Sequence, residues 1–157
     1  MALIDKTEVM VRPAVPEDHD AICNVYLASR KDALPTVKIV WGDQSVRDWI
    51  GSLFKSKGQM FVAEIENKII GFLRIVGQDL DQLYLMPGYY RKGIGTMLLN
   101  KAKDISPDGL TLFTFQVNER ARAFYESHGF RAVETSNGQR NEEMEPDILY
   151  EWRPGTN

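Results

Sequence analysis

The chain's 157 residues, 43% hydrophobic and 26% charged, suit one globular domain over 1–157 with a sizeable core, and exclude disordered and collagen-like classes. Nineteen basic against 22 acidic residues give a net charge of −3, without the basic excess of a nucleic-acid binder, so no nucleic-acid partner is expected. A single cysteine, Cys23, and two histidines leave no internal disulfide and no ligand set for structural zinc; no metal is expected.

The first strand spans Val9 to Arg12 and is ended by Pro13. Pro16 suits the first position of a helix, and Glu17, Asp18 and Asp20 lie near the positive end of its dipole. Ala21, Ile22, Val25 and Tyr26 then recur at helical spacing. Cys23 and His19 fall within this helix, and Cys23, with no base nearby in sequence, is expected to be a small buried side chain. Val46, Trp49, Ile50, Leu53 and Phe54 mark a second amphipathic helix, with Trp49 on its apolar face and expected in the core.

Met60 to Ile65 and Ile69 to Val76 flank the polar Glu66-Asn67-Lys68, the pattern of a β-hairpin. Gln82 to Met86 reads as a strand, Ile94 to Ile105 as a helix, Leu110 to Gln116 as a strand, and Glu119 to His128 as a helix stopped by Gly129. His128 beside that glycine is expected to pack or cap. Phe130 to Glu134 and Ile148 to Trp152 complete the strands. The class is α/β, a mixed, mostly antiparallel sheet flanked by helices, without repeats or a dividing linker.

The segment Leu83-Tyr-Leu-Met-Pro-Gly-Tyr-Tyr-Arg-Lys-Gly-Ile-Gly-Thr96 runs from a strand through a turn into a helix. Gly93 and Gly95 let consecutive backbone N–H groups approach an anion at the positive end of the helix dipole, and Arg91, Lys92 and the Thr96 hydroxyl add donors. A phosphate or diphosphate is the ligand this chemistry suits, the alternative being a tight turn with solvated basic residues. The spacing fits neither a P-loop nor a dinucleotide fingerprint, whose third glycine position holds Leu98.

Residues 83–99 resemble the cofactor motif of the GNAT superfamily of acyl-CoA-dependent N-acetyltransferases, Arg/Gln-x-x-Gly-x-Gly/Ala after a strand. Asn118-Glu-Arg-Ala-Arg-Ala-Phe-Tyr-Glu-Ser-His-Gly-Phe130 is similar to a second motif of that family, and the element order matches over essentially the whole chain. The first motif departs at Tyr90, where the family has Arg or Gln; Arg91 follows one residue later.

The resemblance implies an acetyl-CoA-dependent N-acetyltransferase. Leu83 and Leu85 would run beside the pantetheine arm, with one backbone N–H polarising the thioester. Arg91, Lys92, Gly93, Ile94, Gly95 and Thr96 would hold the diphosphate, and Asn118 the cofactor arm. The strand would be bulged and splayed from the next, Leu110 to Gln116. Tyr125 would protonate the coenzyme A thiolate. The bland alternatives are a core aromatic for Tyr125 and a helix N-cap for Asn118.

Asp79, Asp81 and Glu64 are candidate bases near strand ends, without a motif behind them, and a water is the alternative. The acceptor, by resemblance, enters between the first two helices and the loop joining the last two strands. Arg30, Trp41 and Asp81 are the acceptor-side candidates, Trp41 as a pocket wall. The loop Thr135 to Asp147 carries Glu142, Glu143, Glu145 and Asp147, a solvated surface or an attraction for a cationic amine.

A small amine, amino acid or antibiotic-like acceptor is the leading expectation. A protein α-amine or lysine is the alternative, and a non-catalytic acetyl-CoA sensor the third. An open acidic groove would favour a peptide. The start of the chain lacks a basic region followed by an apolar stretch, and no run approaches the ~18 apolar residues of a membrane span. A cytoplasmic location without a membrane partner is expected. The family resemblance also admits a homodimer, with no surface marked for one.

Overall fold

The computed structural model describes residues 8–37, 42–139 and 141–155. Strand β1 (Val9–Pro13) leads through a 3-10 turn at Pro16–Asp18 into α1 (His19–Ala33) and α2 (Asp43–Leu53). Strands β2 (Gln59–Ile65), β3 (Lys68–Val76) and β4 (Asp79–Leu85) follow, then α3 (Ile94–Ile105), β5 (Leu110–Phe115), α4 (Glu119–Ser127), β6 (Arg131–Ser136) and β7 (Asp147–Trp152). The seven strands form one sheet in the order β1-β2-β3-β4-β5-β7-β6, antiparallel except between β4 and β5.

The hairpin expected between β2 and β3 turns on two residues. Glu66 and Asn67 have φ of 50° and 64°, the left-handed pair that matches strand twist in a tight turn, and Lys68 already belongs to β3. Strand β3 is the centre of the molecule, covered on both faces. Phe72, beside Val62 of β2, packs against Ile22, Val25, Tyr26, Val46 and Ile50 of α1 and α2. Leu73 and Ile75 pack on the opposite face with Ile94, Leu98, Leu99 and Ala102 of α3 and Tyr125 of α4. Burying each such large apolar side chain stabilises the fold by about 1.5–3 kcal/mol.

At the β1 edge, Arg12 donates to both carboxylate oxygens of Asp18, at 2.8 and 3.0 Å, and to Glu64 at 2.9 Å. Asp18 also accepts the Val15 N–H at 2.9 Å. The Arg12 bonds, foremost, hold the Asp18 carboxyl below the ordinary range. They tie the start of α1 to the sheet.

Strand β4 starts three residues before the expected Gln82, because it leaves β3 through the tight Gly77-Gln78 connection, Gly77 having φ of 60°. The register steps from Arg74↔Gln82 to Ile75↔Leu80, leaving Asp81 as the extra residue of a bulge. Arg74 crosses to it with Nη1 2.8 Å from the Asp81 carboxylate, while Nη2 donates to the Lys57 carbonyl.

Beyond this point the sheet opens. Strands β4 and β5 share a single pairing, Asp79↔Thr111. Met86 donates its N–H to Ile70. Backbone groups alternate edges along an antiparallel strand, so Leu85 and Leu83 turn theirs toward the edge that β5 has left.

Candidate functional site

Two cavities meet at this opening. The first, about 380 Å³, lies between β4, the start of α3, α4 and the end of α1. Leu83, Leu85, Arg91, Gly93, Gly95, Thr96, Asn118 and Tyr125 of the expected set line it. The second, about 450 Å³, is bounded by Tyr26 and Trp49, by Phe113 and Phe115 of β5, and by Glu143 and Asp147. Arg30, Leu34, Tyr84 and Asn118 belong to both walls. Each cavity is partly open to solvent.

The turn before α3 is shaped by Arg91 and Gly93, with φ of 60° and 83°. Gly93 is the N-cap and makes no side-chain cap, leaving the first-turn N–H groups without partners inside the helix. A Cβ on Gly95 would stand 3.3 Å from the Phe124 ring, so glycine there lets α3 and α4 close on one another beside the cavity. Ile94 contributes only backbone at the site, its side chain being fully buried in the core. Lys92 lines neither cavity.

Tyr90 forms part of the first cavity's wall, with the Arg120 guanidinium 4.1 Å above its ring. Arg120 reaches Asp32 of α1 at 3.6 Å, bracing α4 across the cavity mouth.

Asn118 has both expected roles within reach. Its Oδ1 accepts the Ala121 N–H at 3.1 Å, capping α4, while the residue also faces both cavities. Tyr125 is 7% exposed, in edge contact with Phe124 at 5.2 Å and Phe130 at 5.4 Å. Burial, with Tyr84 as a lesser cause, raises its hydroxyl well above the ordinary phenol value. It is therefore a hydrogen-bond donor at any physiological pH.

The three expected bases lie elsewhere. Glu64 is held by Arg12, Asp79 by the Thr111 hydroxyl and Asp81 by Arg74. None lines either cavity. Asp81, expected on the acceptor side, is the bulge residue and its carboxylate meets Arg74 at 2.8 Å. Trp41 lies outside the described residues. Trp49, expected in the core, is 37% exposed, meets Tyr26 edge-on at 5.3 Å and walls the second cavity.

The carboxylates that do face the second cavity, Glu143 and Asp147, come from the acidic loop. Asp147 is buried and accepts from Asn141 Nδ2 at 3.1 Å. Glu143 reaches Arg30 at 3.5 Å. Arg30 is 5% exposed, donates to the Tyr26 hydroxyl at 2.8 Å, and leaves Nε and Nη2 without hydrogen-bond partners. Among the described residues that line this aromatic cavity, two carboxylates face one guanidinium, a setting for an organic cation.

A split sheet with a glycine turn at one side of the split and an aromatic, acidic cavity at the other defines an acyl-transfer fold, and the chain belongs to the acetyltransferase (GNAT) family, whose model matches residues 20–130. It is an acetyl-transferring enzyme, and acetyl-CoA is its acyl donor. Among similar proteins, the peptidyl-lysine N-acetyltransferase YiaC of Escherichia coli K12 is 29% identical over 147 residues, covering 91% of this chain and 96% of that protein. The peptidyl-lysine N-acetyltransferase YjaB of Salmonella typhimurium LT2 is 26% identical over 130 residues, covering 82% and 77%. The solution structure of apo YjaB from Escherichia coli shares the fold with a TM-score of 0.77 at 22% identity, covering 92% and 97% of the two chains. The PaiA N-acetyltransferase of Thermoplasma acidophilum in complex with coenzyme A does so at 0.71 and 22%, covering 92% and 98%. Among the described residues no helix is long and apolar enough to cross a membrane.

Proposed function

We propose that this enzyme acetylates the ε-amine of a lysine in a peptide, with acetyl-CoA in the first cavity and the lysine side chain in the second. The observation that carries this is the second cavity itself. It is aromatic, carries Glu143 and Asp147, and joins the first at Tyr84 and Asn118. A long, flexible ammonium side chain fits such a wall, and the names of the two relatives agree with it.

The residues of the first cavity fit the donor. The α3 amides of Ile94, Gly95 and Thr96 face the diphosphate, with Arg91 adding charge. The freed edge of β4 at Leu83 and Leu85 pairs with the pantetheine amides. Bound acetyl-CoA supplies the thioester carbonyl that is attacked and the thiol that leaves. A β4 backbone N–H donates to the carbonyl oxygen as negative charge develops there, stabilising the transition state more than the ground state.

A lysine amine is almost wholly protonated at neutral pH, its ordinary pKa being about 10.4, so its proton must leave before attack. Glu143, only loosely paired with Arg30 at 3.5 Å, is the base in this reading, directly or through a water. Asp147 is already occupied by Asn141. Tyr125 donates to the leaving sulfur.

Thiol release from acetyl-CoA, read together with mass spectrometry of the products, tests this across lysine peptides, α-amine-blocked peptides, free amino acids and polyamines. Acetylation at the ε-amine of blocked peptides, faster than of any free amine, is the expected result. Turnover confined to free amines would assign a small-molecule acceptor, and tight cofactor binding without turnover a sensor.

A further inference from the structure

We propose that His128 sets the direction of the Thr96 hydrogen bond in the cofactor cavity, so that docking of the coenzyme A diphosphate is accompanied by uptake of one proton at His128. This rests on the reading that the first cavity receives that diphosphate. His128 is then a positioning residue for the cofactor.

The hydrogen positions follow from the partners. His128 Nδ1 lies 2.8 Å from the Phe124 carbonyl oxygen, which can only accept, so Nδ1 carries a hydrogen. Ser127 Oγ, 3.1 Å from Nδ1, gives its own hydrogen to the same carbonyl at 2.7 Å. The remaining ring nitrogen, Nε2, lies 3.0 Å from Thr96 Oγ1. In the neutral ring Nε2 holds only a lone pair. Thr96 must then donate to it, which leaves lone pairs of Oγ1 for the cavity that Thr96 lines. A diphosphate oxygen arriving there meets oxygen lone pairs.

Protonation reverses this. One proton from solvent forms the Nε2–H bond, Nε2–H donates to Oγ1, and the Thr96 hydrogen is free to turn to the anion. Nothing else is made or broken.

Lys103 of α3 donates to the His128 carbonyl at 2.9 Å, and Arg91 and Lys92 precede the same helix. From α4, the Phe124 ring lies 4.5 Å from the imidazole, tilted by 44°, and the carboxylate of Glu126 is engaged by the Tyr150 hydroxyl at 2.5 Å. From β7, Trp152 packs on Lys103 at 4.7 Å. The other histidine, His19, bonds the Arg47 carbonyl between α1 and α2, away from this cavity.

The sign is fixed by which form the complex prefers. The complex favours the charged ring, so affinity is highest on the acid side of the histidine range and falls as pH rises through it, by at most tenfold per unit for one proton. Dephospho-CoA is the suitable probe, because it lacks the 3′-phosphate monoester that itself titrates near pH 6. Its Kd, measured calorimetrically at pH 6, 7 and 8, is expected to rise five- to tenfold in the wild type. It should change less than twofold in His128→Gln and in Thr96→Val, the latter keeping the histidine and serving alone if the former does not fold. A flat wild-type profile, or a slope that survives in Thr96→Val, would overturn the relay. Failure of the wild type to bind either dephospho-CoA or coenzyme A at any pH would overturn the cofactor reading, and the relay with it.

Discussion

Tyr125→Phe is expected to lower kcat about 100-fold while the Kd for coenzyme A changes less than twofold. The substitution removes one oxygen and keeps the ring that packs between Phe124 and Phe130, so the fold and the cavity wall persist. What is lost is the donor to the leaving sulfur.

The size of the effect follows from the acidities. An ordinary phenol, near 10, is no stronger an acid than an alkyl thiol, and burial moves the Tyr125 hydroxyl further up. Complete transfer of its proton to the thiolate therefore runs uphill. Tyr125 acts as a hydrogen-bond donor through the transition state, and the proton that ends on sulfur comes from the amine. A corollary is that kcat shows no descending limb from this phenol below pH 10. Stopped-flow thiol release in the variant, with a saturating acceptor, measures both; wild-type kcat in Tyr125→Phe would remove the residue from the chemistry.

Gly138→Ala should raise the KM for the peptide tenfold or more and leave the Kd for coenzyme A unchanged. Gly138 is buried with φ of 93°, and a Cβ there would stand 2.6–2.7 Å from backbone atoms of Met144 and Glu145. Neither the left-handed backbone, which costs roughly 1–2 kcal/mol for a side-chain-bearing residue, nor contact with main-chain atoms is relieved by a rotamer change.

The loop from β6 to β7 must rearrange, and it is braced from within. Asn141 donates to the Glu145 carbonyl at 2.8 Å and to Asp147 at 3.1 Å, and accepts the Glu145 N–H at 3.1 Å. Displacing that bracket displaces Glu143 from Arg30, whereas no described residue of the loop lines the first cavity. Titration calorimetry with coenzyme A beside steady-state kinetics on a peptide separates the two effects. Equal loss of both affinities would mean that the loop supports the whole molecule rather than the acceptor wall.

These expectations show which parts of the molecule local sequence carries. Helix α3 was legible to the residue, because a glycine turn, an apolar stripe from Leu98 to Ile105 and a dipole-compatible start all act within one segment. The β2–β3 hairpin was legible for the same reason. The start of β4 was not. Asp79 and Asp81 are poor strand formers, and they are held there by Thr111, 32 residues on, and by Arg74 across the β3–β4 hairpin.

The acceptor side was the least legible. Trp49 has the spacing of a core residue, yet α2 leaves it at the rim, against Tyr26. Glu143 is one acid among several in its loop, and what distinguishes it is Arg30 opposite, a partner on α1 that the loop's own sequence does not show. His128 read as a cap because its partner Thr96 lies 32 residues away on another helix.

Two ligands are expected to occupy the two cavities that meet where β4 and β5 separate. Backbone and side-chain NMR shifts of the labelled enzyme, titrated first with coenzyme A and then with a lysine peptide, test it most directly. Coenzyme A should perturb Leu83 to Leu85, Arg91 to Thr96, Asn118 and Tyr125 and leave Glu143 unmoved. The peptide should then perturb Tyr26, Trp49, Phe113 and Glu143. Coenzyme A shifts centred on the second cavity, or peptide shifts away from both, would contradict it.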